Sequence, residues 1–166
     1  MDFALRPMTP IDLPQVLELQ AACYPPALHD EAPAFESRLA LAPAMNLVAV
    51  RGDTISGYLI SHPWTTASPP PVNAILDPPE GVAQCWFIHD LSVAPSARGA
   101  GLGGRLIQAG AQAARAAGLD RSELIAVEGA ADFWLAHGWS AVKADAALAA
   151  KVAGYGALAA YMAKSL

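Results

Sequence analysis

Arg98 is followed by glycines at positions 99, 101, 103 and 104, directly after a strand-like run, residues 85–93, that ends before Pro95. Glycines at this density leave main-chain N–H groups uncovered and let a ligand come close to them. The pattern that follows, from Leu102 onward, is helical. A helix start adds unpaired donors and a positive dipole end, so the loop is suited to an anion such as a pyrophosphate.

The rest of the chain must hold that loop in place. With 166 residues, 54% of them hydrophobic, one domain spanning 1–166 with a sizeable core is expected. The net charge of −5 argues against non-specific binding to nucleic acid or to an acidic membrane. Cys23 and Cys85 are the only cysteines and show no zinc-type spacing, so a reducing compartment and no metal site are expected. The first residues lack a basic stretch followed by an apolar one, and no run of 18 apolar residues occurs, so neither a signal peptide nor a membrane span is expected. A cytoplasmic location follows as an expectation.

Phe3 to Arg6 reads as a short strand. Thr9 is a plausible N-cap with Pro10 at the first helical position, opening a helix to about Cys23. Ala34 to Leu41 is a second short helix. Met45–Val50 and Thr54–Ser61 are strands joined through Arg51-Gly52-Asp53, a hairpin pattern. The proline-rich stretch from His62 to about Gly81 is long for a connection, which makes it either functional or mobile. After the glycine loop, Leu102–Ala117 is a helix with a polar stripe of Arg105, Gln108, Gln112 and Arg115, and Gly118 is its cap. Glu123–Val127 is a buried strand and Ala131–His137 a short helix. Trp139–Lys143 and Ala157–Lys164 read as two last strands, with helix a competitor for Ala144–Val152 and for the final ten residues because of their alanine content.

Three phosphate-loop patterns can be set against the glycines. The P-loop pattern fails because Gly104 is followed by Arg105-Leu106. The dinucleotide pattern GxGxxG is met by Gly99, Gly101 and Gly104, with Glu128 where a ribose-binding acid would sit. The stretch between strand and first glycine is long for that turn, and too few residues follow for a doubly wound sheet. The segment Leu91-x-Val93-x-Pro95-x-x-Arg98-Gly99-x-Gly101-Leu102-Gly103 resembles the acyl-CoA loop of the GNAT superfamily of N-acetyltransferases, whose Arg/Gln-x-x-Gly-x-Gly/Ala pattern is matched by Arg98, Gly101 and Gly103. Phe133-Trp134-Leu135-Ala136-His137-Gly138-Trp139 is similar to the family's Phe-Tyr-x-x-x-Gly-Phe segment, and the order of elements matches along nearly the whole chain.

That resemblance implies an α/β (α+β) GNAT-like fold: a mixed sheet of six to seven strands flanked by about four helices. It implies acetyl-CoA as co-substrate. Main-chain amides of Arg98, Gly99, Ala100, Gly101, Leu102, Gly103 and Gly104 would hold its pyrophosphate. Leu91, Ser92 and Val93, where the family's fourth strand splays from the fifth, would pair with the pantetheine arm, and a main-chain N–H there would polarise the thioester carbonyl. Phe133 and Trp134 would line the other side. The reaction implied is transfer of acetyl to a primary amine by direct attack, which needs a base for the ammonium and an acid, or solvent, for the leaving thiolate.

In several families of this superfamily a Glu or His precedes the Leu-x-Val segment by two residues; here that residue is His89, followed by Asp90. Strand alternation puts them on opposite faces, and a bulge at this point would bring both into the cleft. The family's tyrosine is replaced by Trp134, whose indole is a far poorer acid than a phenol. Tyr155, between Gly154 and Gly156, is the candidate substitute, and Tyr24 a weaker one. The acceptor, a small-molecule or peptide amine, would lie among residues 23–32, 62–81 and 144–156. Tyr24, Trp64 and Tyr155 would be aromatic walls there, and Asp30, Glu31 or Asp90 would supply charge. A non-catalytic acyl-CoA-binding module and an NAD(P)-binding Rossmann-type protein remain the alternatives. Neither a nucleic-acid nor a membrane partner is expected, and a homodimer is compatible with the family.

Overall fold

The computed structural model describes residues 2–166. In chain order its elements are β1 (Ala4–Pro7), α1 (Leu13–Cys23), α2 (Ala32–Leu41), β2 (Leu47–Arg51), β3 (Thr54–Trp64), β4 (Cys85–Val93), α3 (Leu102–Ala116), β5 (Arg121–Ala126), α4 (Ala131–Ala136), β6 (Ser140–Ala141), α5 (Ala146–Ala153) and β7 (Ala160–Ser165). The seven strands form one sheet in the order β1-β2-β3-β4-β5-β7-β6. β4 and β5 run parallel, and the other neighbouring pairs are antiparallel. This is the α/β GNAT-like sheet the resemblance implies, with five helices where about four are expected. Its topology overturns the doubly wound, Rossmann-type alternative, which needs a mostly parallel sheet.

The fifth helix comes from the alanine-rich segment after Lys143. Asp145 accepts the Leu148 N–H at 2.8 Å and so caps α5, a contact that adds to alanine's high helix propensity. The same composition does not make the last residues helical. There, pairing with β5 from Arg121↔Ser165 to Ala126↔Ala160 overrides propensity. The expected strand at 139–143 shrinks to Ser140–Ala141. β3 runs three residues past the expected Ser61, to Trp64, which places His62 in the sheet.

Each face of the sheet is covered by helix. Val16 and Leu19 of α1 and Phe35 and Leu39 of α2 pack on Tyr58 and Ile60. On the other face Leu102, Leu106, Ile107 and Ala111 of α3 meet Leu59, Trp86 and Ile88, and the polar stripe of α3 is exposed as expected. The approach is close. A Cβ on Gly110 would stand 2.5 Å from Leu59 Cδ2 and 2.6 Å from Trp86 Cζ2. That contact accounts for a glycine in a helix interior.

Two irregularities in β4 shape the site. Ile60 pairs with Asp90 but Ser61 pairs with Ile88, so His89 is the extra residue of a bulge. The bulge reverses the alternation and puts Asp90 on the same face as Phe87. Further, β4 and β5 pair only from Trp86↔Ser122 to Ile88↔Leu124. Beyond that point β4 continues to Val93 on its own line.

The proline-rich connection is held in place by side chains. Ala67 N–H donates to Glu123 Oε2 at 2.9 Å, Asn73 N–H to Asp30 Oδ1 at 2.5 Å and Leu76 N–H to Ser37 Oγ at 3.0 Å. Among the described residues no helix is long and apolar enough to cross a membrane.

Candidate active site

Where β4 leaves β5, a cavity of about 740 Å³ opens, running from α1 past the exposed edge of β4 to the start of α3. Ala94 N–H donates to Ser56 O on β3 at 2.8 Å. By strand alternation the main-chain groups of Leu91 and Val93 therefore face the gap. The geometry agrees: Leu91 O accepts from the Tyr24 hydroxyl at 3.0 Å, and Val93 O lies 3.7 Å from Cys23 Sγ.

The far end of the cavity is the glycine loop. Gly99 and Gly101 have φ of +81° and +70°, a region that L side chains rarely adopt. A Cβ at either would meet nothing within 4 Å among the described residues. Gly101 is the residue before α3, and no described side chain caps that helix. The N–H groups of its first turn therefore have no intrahelical acceptor. Arg98 is the exception in the expected set: its N–H donates to Pro95 O at 3.4 Å, closing a short 3-10 turn. Gly103 lets Phe133 close in, since a Cβ there would lie 3.3 Å from Phe133 Cζ. Of the residues expected to bind the donor, all but Ala100 line the cavity. Trp134 is nonetheless a core residue, 7% exposed and set edge-on to Trp139. His137 also borders the loop, with its Nε2 toward Gly104, a neighbour the sequence did not single out.

At the opposite end the bulge brings His89 and Asp90 into the same wall. His89 Nε2 meets Asp30 Oδ2 at 2.5 Å, with both side chains almost fully buried. Asp30 is braced by Asn73 N–H, and its main chain forms two 2.9 Å bonds with the Gln20 amide. Burial alone would raise the Asp30 pKa, but the hydrogen bond and charge of His89, the charge of Arg38 and the Asn73 N–H together outweigh it and the carboxyl is lowered. Asp90 behaves oppositely. Burial raises it, although Tyr58 donates to its Oδ2 at 2.5 Å and Ser92 to its Oδ1 at 3.3 Å. With Asp30 ionised, His89 carries its hydrogen on Nε2 when neutral, leaving the buried Nδ1 as the basic nitrogen.

Sequence reading offers Asp30 only as charge for an amine. Its pairing with His89 spans 59 residues and has no local pattern. Arg38 was not singled out either. It is fully buried on the apolar side of α2 beside Phe35, with Nη1 donating to Ala34 O and Ala74 O. The run Ala34-Phe35-x-x-Arg38-Leu39 has the spacing of a buried stripe with an arginine in it, which is the cue that sequence reading missed.

Tyr155 lines the cavity, but its hydroxyl donates to Pro70 O. Burial raises its pKa, as it does that of Tyr24, so both phenols hold their protons more firmly than usual. Trp64 faces instead a second, smaller cavity between the proline-rich connection and α5.

A sheet split after three paired residues, with an uncapped helix start at the end of the split, defines an α/β protein with a cleft between β4 and β5. Residues 13–139 match the model of the acetyltransferase (GNAT) family, and the chain belongs to that family. Curated proteins yield no sequence match. Among solved structures, the chain is similar to a GphF GNAT-like decarboxylase in complex with isobutyryl-CoA, at 16% identity and TM-score 0.77, with 98% of each chain covered. It is similar to a chain of the NatC complex bound to Gag peptide and CoA, at 16% identity and TM-score 0.74, covering 100% of this chain and 99% of that one. Arabidopsis thaliana Naa50 in complex with a bisubstrate analogue gives 15% identity and TM-score 0.73, with 100% of both chains covered. At such identities these likenesses show the fold.

Proposed function

We propose that the protein moves an acetyl group from acetyl-CoA to a primary amine by direct attack in a ternary complex. The observation that carries this reading is the continuity of three features in one cavity: the exposed edge of β4, the uncapped start of α3 and the Asp30–His89 pair. First-turn amides of α3, with those of the loop from Gly99, suit the diphosphate. The edge at Leu91 to Val93 suits an extended arm with its own amides, as an added strand. An N–H on that edge would polarise the thioester carbonyl.

His89 is the base in this reading, with Asp30 holding its orientation and tautomer; a small movement of the cavity wall uncovers the buried Nδ1 so that a water bridges it to the ammonium. Asp90 is the second proton acceptor, since burial makes it more basic than an ordinary carboxylate. The CoA-bound and peptide-bound neighbours of this fold support an acyl-CoA donor, and they leave the acceptor open between a small amine and a peptide amine.

Replacement of the family tyrosine by Trp134 favours a second reading, an acyl-CoA-binding module without catalysis. Isothermal titration with acetyl-CoA, followed by a thiol-release screen over small amines, polyamines, amino acids and peptides, separates the two. Binding with release on one amine class is the expected result. Binding with no release on any class leaves the module, and no binding overturns both.

A further inference from the structure

The leaving thiolate needs a proton, and the usual donor position holds Trp134. The chain has four tyrosines. Tyr58 is fully buried and committed to Asp90, and Tyr161 is committed to Glu123. Among the described residues only Tyr24 and Tyr155 line the cavity. Tyr155 is held by the Pro70 carbonyl on the acceptor side. Tyr24 follows the last residue of α1, and its hydroxyl is 3.0 Å from the Leu91 carbonyl, on the free edge of β4. The pantetheine arm would lie along that same edge.

Resting on acetyl transfer as read above, we propose that Tyr24 protonates the departing CoA thiolate, delivering from the α1 side of the sheet the proton that the family takes from the α4 side. The bonding changes balance. The amine nitrogen bonds to the thioester carbonyl carbon, and the carbon–sulfur bond breaks with its electron pair going to sulfur. The Tyr24 O–H gives its proton to that sulfur, forming the free thiol. Asp90 lines the same cavity as Tyr24; it takes up the proton lost by the amine, by way of His89, and returns it to the phenolate. In this step the Tyr24 hydroxyl exchanges its hydrogen bond to Leu91 O for one to sulfur.

The test is titration of bound CoA by thiolate ultraviolet absorbance, in the wild type and in Tyr24→Phe. A phenol donating to sulfur stabilises the thiolate. Bound CoA in the wild type is therefore expected to ionise at least about tenfold more readily than in Tyr24→Phe, roughly one pH unit lower. With the amine acceptor found above, kcat of Tyr24→Phe falls about tenfold or more while KM for acetyl-CoA stays within about twofold, the size expected for loss of a general acid. Coincident titration curves, or an unchanged kcat, overturn the assignment. If Tyr24→Phe does not bind CoA, 3-fluorotyrosine at position 24 serves instead. A stronger phenolic donor must shift the bound thiol lower still, and an unmoved titration again overturns the assignment. A wild type that binds acetyl-CoA yet acetylates no amine overturns the acetyl-transfer reading and not the titration result, so the two failures are distinguishable.

Discussion

At the end proposed for the donor, the cleft is made of main chain: the free edge of β4, the loop at Gly99–Gly101 and the first turn of α3. At the end proposed for the acceptor it is made of side chains that tie loops together. Asp30 holds His89 and Asn73, Glu123 holds Ala67, and Tyr155 holds Pro70. The first arrangement depends on conformations that regular elements and glycines adopt by themselves. The second depends on buried polar groups finding partners far away in sequence, so it is the half where charge and pH matter.

The largest expected effect is on the donor side. Gly101→Val adds a branched side chain where φ is +70° and the space is otherwise empty. It both strains the turn and fills the place of the diphosphate. Affinity for acetyl-CoA is expected to fall about 100-fold by titration calorimetry, equivalent to ~2.7 kcal/mol. Thermal stability also falls, by about 1–3 kcal/mol for a β-branched residue in left-handed backbone, so affinity is read at a temperature where the variant is still folded. Undiminished affinity would place the diphosphate elsewhere and remove the distinction between the halves.

Acid should act on the other half. Burial lowers the His62 pKa to about 3, and the ring is sandwiched against Trp64 and Phe87 with Arg38, His89 and the Pro63 carbonyl as its polar surroundings. The folded ring stays neutral while the unfolded one takes a proton below about pH 6.5. The unfolded state thus binds more protons, and stability present above about pH 6.5 is lost progressively as pH falls toward about 3. Between pH 6.5 and 5 the loss is about 1.6 kcal/mol. Urea unfolding at the two values should show it in the wild type and show a much smaller change in His62→Phe. Equal slopes in both proteins would move the acid sensitivity to another group.

The same division decides what can be read from the chain alone. The glycine loop, the strand before it and the helix after it are contiguous, so spacing and turn chemistry bring nearly all of the residues expected there to one cavity. Arg98 is the instructive miss, because a 3-10 turn over Pro95–Ala97 claims its amide. The bulge at His89 was expected by family likeness, and without it Asp90 would point to the wrong face. By contrast, no periodicity links Asp30 to His89, or Tyr155 to Pro70. These are pairings of one loop residue with one distant atom, and they exist only after the sheet has formed. The alanine-rich end was ambiguous for another reason. Its propensity is helical throughout, and only the pairing partner distinguishes α5 from β7.

Turnover and donor binding should come apart at His89. His89→Ala removes the imidazole and leaves the Asp30 carboxylate without one partner. It touches neither the free edge of β4 at Leu91–Val93 nor the start of α3. Steady-state kinetics on the acceptor found by thiol release should show kcat reduced at least about tenfold, at the low end of general-base effects, with acetyl-CoA affinity within about twofold. A parallel fall in both would mean that the acceptor wall also shapes the donor site.

The smallest effect is the sharpest test of how the acceptor half is held. Tyr155→Phe deletes one hydroxyl, the donor to Pro70 O, and leaves the ring that borders both cavities. If the phenol only fastens the proline-rich connection, its loss costs about 1 kcal/mol of local order, the usual size for a neutral hydrogen bond. That loss should appear as a rise of about fivefold in acceptor KM with kcat nearly unchanged. If the phenol instead reaches the reacting sulfur, kcat falls and acceptor KM does not. The ratio of the two parameters in this variant therefore separates a strap from an acid, and a fall in kcat alone would return to Tyr155 the proton assigned here to Tyr24.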